Sequence, residues 1–144
     1  MITKDLYCKF ISIDYKDYRG RNAKNDLSLF FKRLKLYSKI SYIWGLEYQS
    51  RENNVYVPHF HILINDIGLK NSDIKKIWCS VIGSSDFGSR KFGCKVIDIY
   101  DYEGLIGYIS KSYTKYIPKK FGFPGRWWSC SRNVSRIIKE RQGY

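Results

Sequence analysis

Membrane-length apolar runs are missing from this sequence, since no stretch approaches the ~18–20 residues that cross a bilayer. The first residues, MITKDLYCKF, lack an apolar segment followed by a small-residue cleavage site, so no secretory signal is expected. Cysteine is sparse and scattered: Cys8, Cys79, Cys94 and Cys130 form no CxxC pair, and no paired cysteines accompany a histidine. That spacing argues against a zinc finger and a disulfide framework; reduced, partly buried thiols in a cytoplasmic protein are the expectation. Acidic residues are scarce as well, 13 Asp plus Glu against 26 Lys plus Arg, which leaves a net charge of +13. Histidine occurs only twice, at His59 and His61.

What is present fits one folded domain over residues 1–144, long enough to bury a core and with 44% hydrophobic and 17% aromatic residues. A compact domain this basic favours a polyanionic partner, because each phosphate it neutralises releases counterions. The basic residues are interleaved with aromatics rather than gathered in one amphipathic helix, which points to nucleic acid over a membrane surface.

Patterning along the chain predicts a first strand over residues 5–15 and a loop with Arg19, Arg21 and Lys24. A helix from about Lys24 to Ile40 follows, capped by Asn25 or Asp26. Two strand-like runs, Ser41–Gln49 and Val55–Asp66, flank the polar RENN and read as an antiparallel hairpin. Pro58 demands that the second run start late or lie at an edge there. A helix over Asn71–Ile82, capped by Asn71 or Ser72, and a strand over Cys94–Tyr100 come next. A third helix is expected from Tyr102 to about Ile117, where Pro118 ends it, then a short strand in WWSCS and a basic tail. The order is βαββαβαβ, an α+β domain without repeat, low-complexity tract or linker.

The chemistry concentrates in His59-Phe60-His61. Side chains alternate along a strand, so both imidazoles share one face while Phe60 takes the other. Two imidazoles on one face are half of a metal site, and they accept Mn²⁺ or Mg²⁺ in a mixed nitrogen and oxygen shell. The neighbouring run IWGLEY has one carboxylate, Glu47, which hairpin pairing can set across from the histidines. A cation is a natural partner for a half-buried carboxylate there. Further on, Tyr108, Lys111 and Lys115 fall at i, i+3 and i+7, one face of a helix. A phenol with an ordinary pKa near ~10 is a poor nucleophile at neutral pH; a nearby ammonium lowers that value or holds phosphate oxygens.

Taken together, GLEY around Glu47, PHFHIL around the histidines, YISKSYTK at Tyr108–Lys115 and GRWWSCSR at Gly125–Arg132 resemble the HUH endonuclease superfamily. Within it the chain is similar to rolling-circle replication initiators of phages and plasmids. The resemblance implies a central antiparallel sheet of about five strands with flanking helices. It implies a divalent metal, Mn or Mg, on Glu47, His59 and His61. Tyr108 would be the nucleophile of a 5′-phosphotyrosine link, leaving a free 3′-OH, and Lys111 or Lys115 would assist at the phosphate. Some phage initiators have a second tyrosine in the pattern Tyr-x-x-Lys-Tyr-x-x-Lys. Here Ser112 takes that position and Tyr113 is one residue out of register, so a single-tyrosine enzyme is expected. No GxxxxGK[ST] motif is present, and no helicase domain is expected.

The partners implied are single-stranded DNA, as an origin hairpin or nick site, and a host helicase or polymerase, with no membrane and a monomeric or weakly dimeric state. Two other readings compete. A single-tyrosine HUH transposase has similar length, but its tyrosine helix typically pairs Tyr with Gln where this chain has Lys111. A non-catalytic module binding single-stranded DNA or RNA would stack bases on Tyr42, Trp44, Tyr48, Tyr56, Trp127 and Trp128, although strand aromatics more often fill cores.

Overall fold

The strand β3 (Tyr56–Ile64) lies at the middle of a five-stranded antiparallel sheet. Around it stand β1 (Cys8–Ile13), β2 (Tyr42–Ser50), β4 (Cys94–Ile99) and β5 (Trp128–Cys130), in the order β4-β1-β3-β2-β5. The computed structural model describes residues 8–15, 18, 21–50, 56–83, 93–101, 103–105, 107 and 128–134. Two helices, α1 (Ala23–Leu34) and α2 (Asn71–Ile82), join these strands, and further helical residues occur at 103–105, 107 and 132–134. The fold is α+β, as the patterning predicts.

Alternation along β3 divides the sheet into two unlike faces. Pro58, Phe60, Ile62 and Ile64 are fully buried on the side covered by the helices. There Trp44 meets Phe60 edge to face, Tyr42 stacks on Phe31 of α1 at 3.8 Å between centroids, and Trp78 of α2 packs against Phe30 and Tyr15. Leu27, Phe30, Phe31 and Leu34 form the buried stripe of α1; Ile74, Trp78 and Val81 form that of α2. Burying such side chains contributes about 1.5–3 kcal/mol each before entropy is counted, so this face holds the domain together. The Trp78 indole N–H donates to the Asp14 carbonyl at 3.1 Å and ties α2 to the end of β1.

On the opposite face a smaller apolar cluster, Cys8, Phe10, Leu63 and Ile99, is joined by Ile97 and Leu105. Leu105 belongs to the helical residues that follow β4. Asp101 starts them, its carboxylate accepting from the Gly104 N–H at 2.7 Å. A Cβ on Gly104 would lie 3.1 Å from that carboxylate and 3.4 Å from the Ile99 side chain, so glycine permits the close approach to the sheet.

Several boundaries differ from the sequence reading. The helix α1 starts one residue earlier and is capped by Asn22, whose side chain accepts from the Asn25 N–H, instead of by Asn25 or Asp26. It ends at Leu34 rather than Ile40, because i→i−3 bonds from Leu36 to Arg33 and from Tyr37 to Leu34 tighten the chain into a turn. The helix α2 spans the predicted residues, but its cap is Lys70, which makes no side-chain bond, and neither Asn71 nor Ser72 fills that role. Pro58 has β2 alone as a strand neighbour: it stands opposite Tyr48, while the β1 pairing with β3 ends at Phe60. Its missing N–H is tolerated there as at an edge.

The four cysteines are free, and Cys8, Cys79 and Cys94 are buried. Burial pushes the Cys94 and Cys8 thiols up, so both stay protonated at neutral pH. Among the described residues, no helix is long and apolar enough to cross a membrane.

Candidate active site

Pairing of β2 with β3 sets Glu47 directly opposite His59 and Gly45 opposite His61. Pairing of β3 with β1 sets Ser12 opposite His61 on the other side. All these residues belong to the face away from the two helices. The Glu47 Oε2 lies 2.8 Å from His61 Nε2, a charge-assisted hydrogen-bond distance, with both side chains largely buried. Across the ring, Ser12 Oγ stands 3.4 Å from His61 Nδ1, and Phe10 stacks on the imidazole at 5.5 Å. The two imidazoles are 4.6 Å apart between centroids.

His59 has a different neighbour. Its Nδ1 lies 3.7 Å from Asp14 Oδ2, beyond hydrogen-bond distance but within reach of an ion pair when the ring is protonated. This Nδ1 is a buried atom with no hydrogen-bond partner. Asp14 follows β1 and is itself fixed: its Oδ1 accepts from the Tyr15 N–H at 2.7 Å, and its own N–H donates to the Gly93 carbonyl at 2.7 Å. Reading the chain alone misses Asp14. The signal was its spacing of two from Ser12, yet only the non-local register of β1 on β3 turns that spacing into proximity to His59.

The structure therefore brings Glu47, His59 and His61 together on one face and adds Asp14. Tyr108, Lys111 and Lys115 lie outside the described residues. The helical residues 103–105 and 107 precede Tyr108, and Leu105 packs on the sheet face that carries the histidines.

Two imidazoles with carboxylates beside them form a donor set suited to a borderline or hard divalent cation. The unpartnered buried nitrogen of His59 is consistent with such a ligand, since a neutral imidazole nitrogen left dry and unpaired is costly. Among the described residues, no three of His, Cys, Asp and Glu are close enough to make a ready-formed metal cluster. As it stands, Glu47 is engaged with His61, and His59 leans toward Asp14.

No curated protein and no solved structure matches the chain. A family model does, over residues 8–120, a span that contains the histidine pair, Glu47, Tyr108 and both lysines. With most of its length matched, the chain belongs to the replication-associated protein (ORF2) family.

Proposed function

We propose that this replication-associated protein is an HUH-type endonuclease that nicks and rejoins single-stranded DNA to start rolling-circle replication. The observation that carries the reading is the placement of His59 and His61 on one sheet face with Glu47 against His61, in a chain of this family. In this reading Glu47, His59 and His61 hold a divalent ion, Mn²⁺ or Mg²⁺, which supplies charge stabilisation at the scissile phosphate. Asp14 orients the His59 ring, as carboxylates beside ligating imidazoles do.

The Tyr108 phenol oxygen attacks the phosphorus in line and gives up its proton. The bond from phosphorus to the 3′ oxygen breaks, and that oxygen takes a proton to leave as a 3′-OH. The 5′ phosphate remains esterified to the tyrosine. Lys111 or Lys115 holds a phosphate oxygen or lowers the phenol pKa. Because one phosphoester replaces another, the reverse attack by a 3′-OH rejoins the strand without an external energy source.

The burial of Tyr42 and Trp44 under α1 and among core side chains weighs against a module that stacks bases on those aromatics. The test is adduct formation with single-stranded origin DNA plus Mn²⁺ or Mg²⁺, read as a shifted band on a denaturing gel. Wild type should give the adduct and Tyr108→Phe should not. His59→Ala and His61→Ala should lose cleavage while retaining most DNA affinity. An adduct from Tyr108→Phe would remove Tyr108 as nucleophile, and wild type giving none on its own origin would sink the enzymatic reading.

A further inference from the structure

The registers of four strand pairs line up one residue from each strand in a single row across the sheet. Trp128 of β5 stands opposite Gly45 of β2, Gly45 opposite His61 of β3, His61 opposite Ser12 of β1, and Ser12 opposite Lys95 of β4. Residues paired in this way project from the same face, so the row lies on the face that carries the histidines. Its profile is uneven. At one end Trp128 is 50% exposed, although strand tryptophans ordinarily bury far more of their surface. Gly45 raises no side chain between the indole and His61, and Ser12 raises a short one between His61 and the exposed Lys95. An aromatic plate, a gap, the imidazole, a low step and an ammonium therefore follow one another at right angles to the strands.

We propose that this row is a track for single-stranded DNA, with Trp128 stacking on a base and Lys95 meeting a backbone phosphate on the far side of His61. The inference rests on the active-site reading above and gives the strand its path through it. Four strand spacings make the row about 20 Å long, comparable with the shortest single-strand binding sites, of about four nucleotides. The other strand aromatics of the described residues cannot take the stacking role: Trp44 is buried on the helix side and Tyr42 is stacked on Phe31. An exposed indole in line with the histidines has no structural duty in the core to explain it. Base stacking is sequence-tolerant, so Trp128 would add affinity and set the position of the strand, while specificity arises elsewhere.

The experiment measures binding by fluorescence anisotropy with two labelled probes: oligothymidine of about 20 nucleotides and an abasic deoxyribose-phosphate strand of the same length. Trp128→Ala should weaken binding to oligothymidine about tenfold and leave the abasic strand nearly unaffected, the signature of a lost stack. Trp128→Phe should stay within about threefold of wild type, since phenylalanine also offers a stacking face. Lys95→Gln should weaken both probes alike and reduce the slope of log affinity against log salt by about 0.7, one phosphate contact. Thermal unfolding of each variant controls for folding, and Trp128→Phe carries the test should Trp128→Ala unfold. Trp128→Ala binding oligothymidine within twofold of wild type, or losing equally on both probes, overturns the stacking role. An unchanged salt slope removes Lys95 from the track. Either result with wild-type adduct intact fells the track alone, whereas wild type failing to bind oligothymidine fells the single-strand reading with it.

Discussion

His61 is held from three directions, by Glu47 at one nitrogen, Ser12 near the other and Phe10 against its ring. The shared face of the two histidines was legible in the sequence because period-two alternation needs only the knowledge that PHFHIL is a strand. Glu47 was legible because a hairpin pairs runs adjacent in the chain. Asp14 was not, since its position depends on β1 finding β3 across most of two elements. The same limit hid Lys9. A lysine within CKFISI reads as a solvent-facing strand residue, yet Lys9 is 4% exposed, its Nζ donating to Asp98 at 2.7 Å and to Asn71 at 2.6 Å. The Lys9 hydrogen bond holds the Asp98 carboxyl below its ordinary value, against partial desolvation and with help from Asn71. A carboxylate depressed in the folded state stabilises the fold above its unfolded pKa, near ~3.9, and loses that contribution as pH falls through the folded value. Urea midpoints should therefore drop between pH 5 and pH 3, and Asp98→Asn should flatten that drop. Asp98→Ala should also cost on the order of 3 kcal/mol at pH 7, because it strands a buried ammonium. An Asp98→Asn profile that overlays wild type would show the pair to be idle.

At the level of elements, strand and helix identities followed from period, while their ends followed from caps that compete within one or two residues. Asn22, Asn25 and Asp26 all precede or enter the apolar stripe of α1, and composition cannot rank them. The structure spends Asp26 elsewhere: its carboxylate accepts from Arg21 at 2.8 and 3.1 Å and from the Tyr15 hydroxyl at 2.7 Å. Arg21 reaches on to the Val81 carbonyl at the end of α2, so this cluster clamps the two helices where they meet the end of β1. Burial and the Asp26 bond push the Tyr15 hydroxyl up, keeping it a donor at every physiological pH. With Asp26 committed, Asn22 is the residue left to cap. The C-terminal end of α1 was unreadable for another reason: no Gly or Pro occurs from Ala23 to Trp44, so Leu36 and Tyr37 prolong the helical period although they are 83% and 60% exposed. Asn22→Ala should lower stability by about 1 kcal/mol in thermal or urea unfolding, and Asn22→Asp should be nearly neutral. A loss within error for Asn22→Ala would return the cap to one of the other two residues.

For the whole molecule, the surplus of positive charge acts on folding and on binding with opposite signs. Two of the described cations are matched closely, Lys9 by Asp98 and Arg21 by Asp26, but a net +13 remains on 144 residues. That excess repels itself in the compact state, so added salt should raise the unfolding temperature of the free protein. The same salt should weaken a complex with single-stranded DNA. Contacts to four phosphates give a slope of about −2.8, hence about 50-fold weaker binding between 50 and 200 mM salt. Saturation with oligothymidine at about 100 times the dissociation constant in 50 mM salt stabilises the fold by about 2.7 kcal/mol. For a domain of this length that is a rise of roughly 6–10 °C. At 200 mM salt the same DNA concentration is only about twice the weakened dissociation constant, and the stabilisation falls to about 0.7 kcal/mol, roughly 2 °C. Melting curves with and without DNA should therefore converge as salt rises, the free protein moving up while the complex loses its advantage. A DNA-induced shift that persists undiminished at 200 mM salt would mean that apolar contacts, not phosphate contacts, dominate the complex.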